Sequence, residues 1–402
     1  MQNFVFFLPT RVVFGAGAID LVGQEASPWG QRALLVTGTT FARRSGLIDR
    51  LHASLSDAGI AVTLFDKIEP NPRVATIEEG GRAARESGAD FVLGLGGGSA
   101  LDAAKGIAVA ALAQRPVWDF TRHDALADPP LVEQALPIVQ VSIIASTGSE
   151  TNNQAVLFDD GAQVKAPISS PALYARVSIV DPTLTFTVPP HYTAVGGMNI
   201  VSQLLERYLT SDEFPVTDRI AEGLIRVVMD SLPRAMQRGE DLEARTNLSW
   251  AAVVASTVGV AGRTGYTPLL AMAHPLGARF NVEHGRAMSA LWPSYMRYAL
   301  SNRFRLPQIG RFKRYALLGR QIFGVHETDD EMAAEITSYR FVNWLRGTDM
   351  PTDLHQLGLE NVDTSVVAQL TDQAVMVSGN GRQLPGGLTA EDIEHIYEGA
   401  LR

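Results

Sequence analysis

The chain contains no cysteine. Disulfides, thiolate nucleophiles and cysteine-ligated zinc are therefore excluded, and a reducing cytoplasmic setting is expected. Positive charge is also short. With 34 Lys and Arg against 43 Asp and Glu, the net charge of −9 offers no basic field for phosphate backbones. No nucleic-acid partner is expected. Long apolar runs are missing too: none approaches the roughly 18–20 residues of a membrane span, so no membrane role is expected. The apolar start, Phe4-Val5-Phe6-Phe7-Leu8, lacks a basic n-region and runs into Pro9 and Arg11. It reads as a strand and not as a signal peptide.

What is present is ordinary globular material. The 402 residues are 46% hydrophobic and 19% charged, enough for two domains. The first half alternates short apolar runs with helical stretches, the pattern of a parallel α/β sheet. Strands are expected at 33–37, 61–65, 91–95, 137–144 and 177–181, and helices at 45–59 and 76–87. After Pro189-Pro190 strand-like runs nearly vanish. Helical windows follow at 193–209, 217–237, 242–259 and 312–323. The expected fold is α/β: a Rossmann-like, parallel-sheet dinucleotide-binding domain over 1–188, then an all-α domain over 189–402. Loops are expected at 124–134 and 385–387.

Gly94-Leu95-Gly96-Gly97-Gly98-Ser99 follows a buried strand and opens a helix. Glycines there let the backbone approach a pyrophosphate, and the helix N-terminus adds hydrogen bonds and a positive dipole end. The spacing is neither G-x-G-x-x-G nor a Walker loop.

Several further strings occur in one order: Phe14-Gly15-Ala16-Gly17, Ser146-Thr147-Gly148-Ser149-Glu150, Lys165-Ala166-Pro167, Asp181-Pro182, Ala273-His274-Pro275-Leu276-Gly277 and Val282-Glu283-His284-Gly285. With Gly97-Gly98-Ser99-Ala100-Leu101-Asp102-Ala103-Ala104-Lys105, this set resembles the iron-containing (group III) alcohol dehydrogenases along essentially the whole chain. The resemblance implies a cofactor site in which Gly97, Gly98 and Ser99 hold the pyrophosphate with Asp102 close by. Thr147 and Lys165 would lie near the nicotinamide ribose. The family often carries Pro-Thr-Thr where this chain has Ser142-Ile143-Ile144. Gly38 and Thr39 end the first strand of the cofactor domain, with no carboxylate to accept a ribose 2′-hydroxyl. Arg43 and Arg44 follow, so NAD or NADP is expected, with weight toward NADP.

The resemblance also implies a metal site that this chain has lost. Family ligands are an Asp and a His at i, i+4, then two later histidines. Here the first pair is Asn199 and Gln203, and the third position, four residues before His274, is Leu270. Only His284 remains. Neutral amides are poor transition-metal ligands, so no metal is expected. His274 and His284 become the candidates for proton transfer, as imidazoles titrating near neutrality. Asn199 and Gln203 become the candidates for orienting substrate. His191 and His395 read as surface residues. Tyr266, Phe280, Trp292 and Tyr295 either line the pocket or fill the core.

The expected activity is a metal-independent, NAD(P)-dependent alcohol dehydrogenase or carbonyl reductase, working on a small molecule or a peptide. One branch of the resemblance oxidises a C-terminal threonine, with decarboxylation. Maleylacetate reductase-like chemistry and a non-catalytic nucleotide-binding scaffold are the alternatives. A homo-oligomer, a dimer by family resemblance, is expected.

Overall fold

The computed structural model describes residues 3–39, 44–263, 267–379 and 383–401. Its strands are β1 (Arg11–Phe14), β2 (Arg32–Gly38), β3 (Ala61–Ile68), β4 (Phe91–Gly96), β5 (Ile138–Ser142), β6 (Gln154–Asp159), β7 (Val164–Ser169) and β8 (Val177–Val180). Six of them form a parallel sheet in the order β1-β8-β5-β4-β2-β3. Alternate side chains leave on opposite faces. Leu34, Val36 and Val92 enter one apolar core with Ile107 and Ile77, while Leu35, Leu93 and Val139 enter another with Leu51 and Ile19. Both faces are covered, which is why these strands read as continuous apolar runs.

The structure departs from the sequence expectation in three places. Residues 3–10 carry no regular structure, and the edge strand begins only at Arg11, whose amide bonds Arg176 O at 3.1 Å. Pro9 has no N–H to give to a ladder. Secondly, β6 and β7 form an antiparallel hairpin outside the main sheet, where the sequence showed no strand pattern. Ala155, Leu157 and Ile168 of the hairpin join the core that holds Ile77 and Ile107, and Val156 N donates to Asp102 Oδ2 at 3.0 Å.

Thirdly, the second domain is not purely helical. A two-stranded ribbon, Gln383–Leu384 with Leu388–Thr389, precedes the last helix, Ala390–Ala400. The remaining helices there are Pro190–Thr210, Pro215–Gln237, Leu242–Ala255, Pro268–Phe280, His284–Ser301, Phe312–Ile322, Asp330–Gly347 and Thr364–Ser378. They enclose one large core built on Met198, Leu205, Met272, Trp292 and Tyr397. The sheet ends at Val180, and the first long helix starts at Pro190, its missing N–H falling where a helix needs none.

Glycines set how closely the domains meet. A Cβ at Gly196 would lie 2.2 Å from Ala145 O, so the helix Pro190–Thr210 rests directly on the loop after β5. That contact carries Asn199 to Ser146.

Candidate active site

Within the sheet, β2 and β4 are neighbours, but the chain leaves β2 toward β3 and leaves β4 toward β5, in opposite directions. A crevice opens at the carboxyl ends of such strands. Gly38 and Thr39 close one side of it, and Gly96-Gly97-Gly98 close the other. Gly96 sits at φ 154, backbone that L side chains rarely adopt. The helix Gly98–Ala110 starts with no side-chain cap, so its first amides remain available at the positive end of the helix dipole. A Cβ on Gly97 would stand 2.9 Å from Ile144 Cγ2, and one on Gly98 3.2 Å from Thr147 Oγ1. This backbone cradle, with Thr147 facing it, fits a dinucleotide pyrophosphate.

Gly98→Val is expected to weaken dinucleotide binding about 10- to 100-fold, the effect of roughly 1–3 kcal/mol of overpacking. A nicotinamide fluorescence titration measures this. Affinity equal to the parent chain would remove Gly98 from the cradle.

Asp102 does not face the crevice freely. Its Oδ1 accepts from Ser149 Oγ at 2.6 Å and its Oδ2 from Val156 N. Lys105, one turn on, donates to Ser149, to both Asn152 oxygens and to Gln154 O within 3.1 Å. Burial raises the Asp102 carboxyl and lowers Lys105 to about 8, each countered by the charge of the other. The family string Asp-x-x-Lys thus ties the cofactor helix to the hairpin. Asp102, one turn beyond the glycine loop, fastens that loop to the hairpin.

Lys165, on β7, points the other way. Its Nζ donates to Asn71 Oδ1 at 2.6 Å, and a Cβ on Gly277 would come within 2.5 Å of that nitrogen. Gly277 lies on the helix Pro268–Phe280, three residues beyond His274. His284 opens the next helix, and the two imidazoles are 5.5 Å apart between ring centres. The structure brings His274, His284 and Lys165 into one cluster.

It also corrects the expectation that the imidazoles titrate near neutrality. Burial pushes His274 well below its usual range, helped by His284 and Lys165. Burial and Lys165 take His284 down to about 4. Both shifts favour the neutral ring, which donates one hydrogen bond and accepts another.

Asn199 and Gln203 sit one turn apart on Pro190–Thr210. Asn199 Nδ2 donates to Ser146 Oγ at 2.8 Å. Its Oδ1 and the Gln203 Nε2 are buried without a partner among the described residues. Buried polar atoms are normally satisfied, so an acceptor and a donor one turn apart are left able to take a hydrogen-bond partner. No group of three or more His, Cys, Asp or Glu among the described residues could hold a metal ion. The residues present do not fit a catalytic divalent cation.

His191 and His395 are exposed, the former 3.2 Å from Glu283. Trp292 and Tyr295 belong to the core, with Trp292 Nε1 donating to Ser202 Oγ at 3.0 Å. Phe280 packs partly buried against that core, and Tyr266, Thr40 and Arg43 lie outside the described residues. Sequence reading missed Asn71, Ser146, Glu206 and Gly277. Ser146 and Gly277 lie inside strings that carry the family resemblance, and Asn71 carried a signal of its own: it is clamped between two prolines in Glu69-Pro70-Asn71-Pro72 and held at φ 59.

Together these features define an α/β chain with a parallel-sheet N-terminal part and a helical C-terminal region. The family described as iron-containing alcohol dehydrogenase matches residues 9–182, and its C-terminal counterpart residues 193–401. The chain is 32% identical to NADH-dependent butanol dehydrogenase A of Clostridium acetobutylicum over 403 residues, 99% of each protein. It is 31% identical to 1,3-propanediol dehydrogenase of Citrobacter freundii, over 100% of this chain and 99% of that protein. The crystal structure of NADH-dependent butanol dehydrogenase A from Thermotoga maritima superposes with a TM-score of 0.91 at 31% identity, covering 100% of this chain and 99% of that one. The chain belongs to the iron-containing alcohol dehydrogenase family, oxidoreductases that act on CH–OH groups.

Proposed function

We propose that the chain is a metal-independent, NAD-dependent alcohol dehydrogenase or carbonyl reductase. One observation carries this reading: the orphan pair of Asn199 Oδ1 and Gln203 Nε2 stands at the positions that hold metal in the resembled enzymes. An alcohol hydroxyl donates one hydrogen bond and accepts another, which matches an acceptor and a donor side by side. Donors aimed at a developing oxyanion supply part of what a Lewis acid supplies, and a dry site strengthens them. When bound, the nicotinamide is the hydride acceptor. Gly97, Gly98 and the helix N-terminus would hold the pyrophosphate, with Ser99, Thr147 and Lys165 around it. The neutral rings of His274 and His284 would wall the cleft against water.

The relatives' names carry NADH, which favours NAD over the NADP weighting taken from Arg43 and Arg44. The alcohols in those names, butanol and 1,3-propanediol, are small. A carboxylate- or peptide-bearing substrate, including a C-terminal threonine, belongs in the same test panel. A dimer and a cytoplasmic location complete the proposal, on family likeness and the absence of cysteine.

Elemental analysis of protein purified without chelator is expected to find far less than one iron or zinc per chain, with turnover unchanged after dialysis against EDTA. Stoichiometric metal with metal-dependent turnover would sink the reading. Reduced cofactor that binds but never turns over with any alcohol or aldehyde would favour the scaffold.

A further inference from the structure

From Thr193 to Thr210 the helix Pro190–Thr210 is buried at every residue but two, Gln203 and Arg207. These stand one turn apart, on the side of the helix that carries Asn199. The opening at Gln203 thus continues to Arg207, and the second residue that meets it is a cation. Arg207 is partly exposed, and among the described residues its side chain makes no hydrogen bond and no ion pair. Burial pulls its pKa down, and among those residues only the charge of Glu206 pushes back. Glu206 is engaged elsewhere, its Oε1 accepting from the amides of Leu269 and Leu270.

A half-desolvated guanidinium without a partner costs stability. Other arginines of this domain show the usual solution. Arg314 donates to both oxygens of Asp218 at 2.7 and 3.0 Å. Arg245 donates to Gly239 O, Thr193 Oγ1 and Val188 O. The cofactor does not supply the missing anion. Its cradle meets this helix at Ser146, which is bonded to Asn199. Arg207 lies beyond Gln203, about 12 Å farther along the axis than Asn199 at roughly 1.5 Å per residue.

We propose that Arg207 binds a carboxylate of the substrate, so that the chain oxidises short hydroxycarboxylates or reduces the matching aldehyde acids. The idea rests on the dehydrogenase reading: the hydroxyl sits at Asn199 and Gln203, and the acid end one turn on. Residues one turn apart stand roughly 5–6 Å apart, the span of an ω-hydroxycarboxylate of about four or five carbons. The planar guanidinium donates two parallel hydrogen bonds to such a group. One guanidinium offsets one negative charge, which fits a carboxylate better than a phosphate dianion. In the oxidation the C–H pair of the carbinol leaves as hydride to the oxidised nicotinamide, the O–H pair becomes the second carbonyl bond, and the proton goes to water. The carboxylate is unchanged.

4-Hydroxybutyrate and 1-butanol test this with the full chain and NAD. The parent is expected to favour the acid in kcat/KM. Arg207→Gln is expected to lower the ratio of the two about 30- to 100-fold, chiefly through KM for the acid, the effect of losing a charge-assisted pair. Arg207→Lys should recover part of it, since the charge stays and the fork is lost. Without ligand, Arg207→Gln should melt no lower than the parent, because it removes an unpaired charge. 4-Hydroxybutyrate added to the complex with reduced cofactor cannot turn over, so nicotinamide fluorescence reads its binding alone. That binding should weaken in Arg207→Gln by about the same factor as the ratio.

A ratio unchanged in Arg207→Gln, or a parent that favours 1-butanol, would overturn the proposal. A loss of cofactor affinity as large as the loss for the acid would make Arg207 a cofactor clamp and overturn it equally. Tighter binding of 4-hydroxybutyl phosphate than of 4-hydroxybutyrate would overturn the carboxylate assignment. If the parent oxidises no alcohol, the dehydrogenase reading fails by itself. The fluorescence titration then still decides whether Arg207 holds the acid.

Discussion

Rebuilding three side chains is expected to convert a chain indifferent to chelators into one that retains a divalent ion. The combined variant Asn199→Asp, Gln203→His and Leu270→His, with the native His284, would offer one carboxylate and three imidazoles. The fold already gathers these positions. Asn199 and Gln203 share a helix face, and Asn199 Oδ1 would lie 3.0 Å from a Cβ on Gly285, next to His284. The Leu270 amide bonds Glu206 on the same helix as Gln203, at 3.1 Å. Supplying an oxygen anion and nitrogen ligands changes a site with one ligand into a four-ligand site.

A gain of at least about 6 kcal/mol in metal binding, roughly 10⁴-fold, is expected. The metal-free variant should melt below the parent, because the carboxylate introduced by Asn199→Asp would bury an unpaired charge. Added zinc at about 100 times its Kd should restore about 2.7 kcal/mol. Plasma emission analysis and melting with and without zinc read both effects. A variant that retains no ion, and melts alike with and without it, would show that the four positions do not converge.

Glu206→Ala is expected to destabilise the chain by about 3–5 kcal/mol, since two helix amides lose their acceptor and a cavity is left. Glu206 Oε1 accepts from the amides of Leu269 and Leu270 at 2.6 and 3.1 Å, closing the N-terminus of the helix that carries His274. Burial raises this carboxyl from 4.5 to about 8. Between those values the folded state binds more protons than the unfolded chain. Stability from this site is therefore complete below about pH 4.5 and is lost as pH rises through about 8.

The amide of Glu206→Gln keeps the two acceptor bonds and cannot ionise. Glu206→Gln should match the parent at pH 4 and exceed it at pH 9, by an amount on the order of a few kcal/mol, because the parent loses stability progressively between about pH 4.5 and 8. Urea melts at the two pH values check this. A gap between Gln and Glu that stays the same at both would show that Glu206 does not titrate there.

Much of the fold was legible because its causes are local. Parallel strands covered on both faces must be apolar throughout, so the runs at 33–37, 91–95 and 177–181 announced themselves. The glycines after β4 were legible because a backbone approach to phosphate needs them. Less legible was β6–β7, whose strands hold Lys165 and Pro167 and pair outside the sheet. The N-terminal apolar run misled, since apolar character says nothing about whether a neighbour exists to pair with.

At the site, residue identity alone was enough to say that Asn199, Gln203 and Leu270 cannot furnish a metal site, because ligand chemistry belongs to the side chain. It could not say where Asp102 points, nor that burial lowers both imidazoles. A pKa depends on the burial and charges that surround a group, and those are supplied by distant segments. Asn71 and Gly277 acquire their meaning only beside Lys165, 94 positions along in the case of Asn71. The sequence by itself determined the layers and the residue types that stand in the glycine loop and at positions 199, 203 and 270. Tertiary structure decided the direction of those pKa shifts and placed beside the imidazoles a lysine with no carboxylate next to it among the described residues, since desolvation and Coulomb energy arise only when the chain has closed around them.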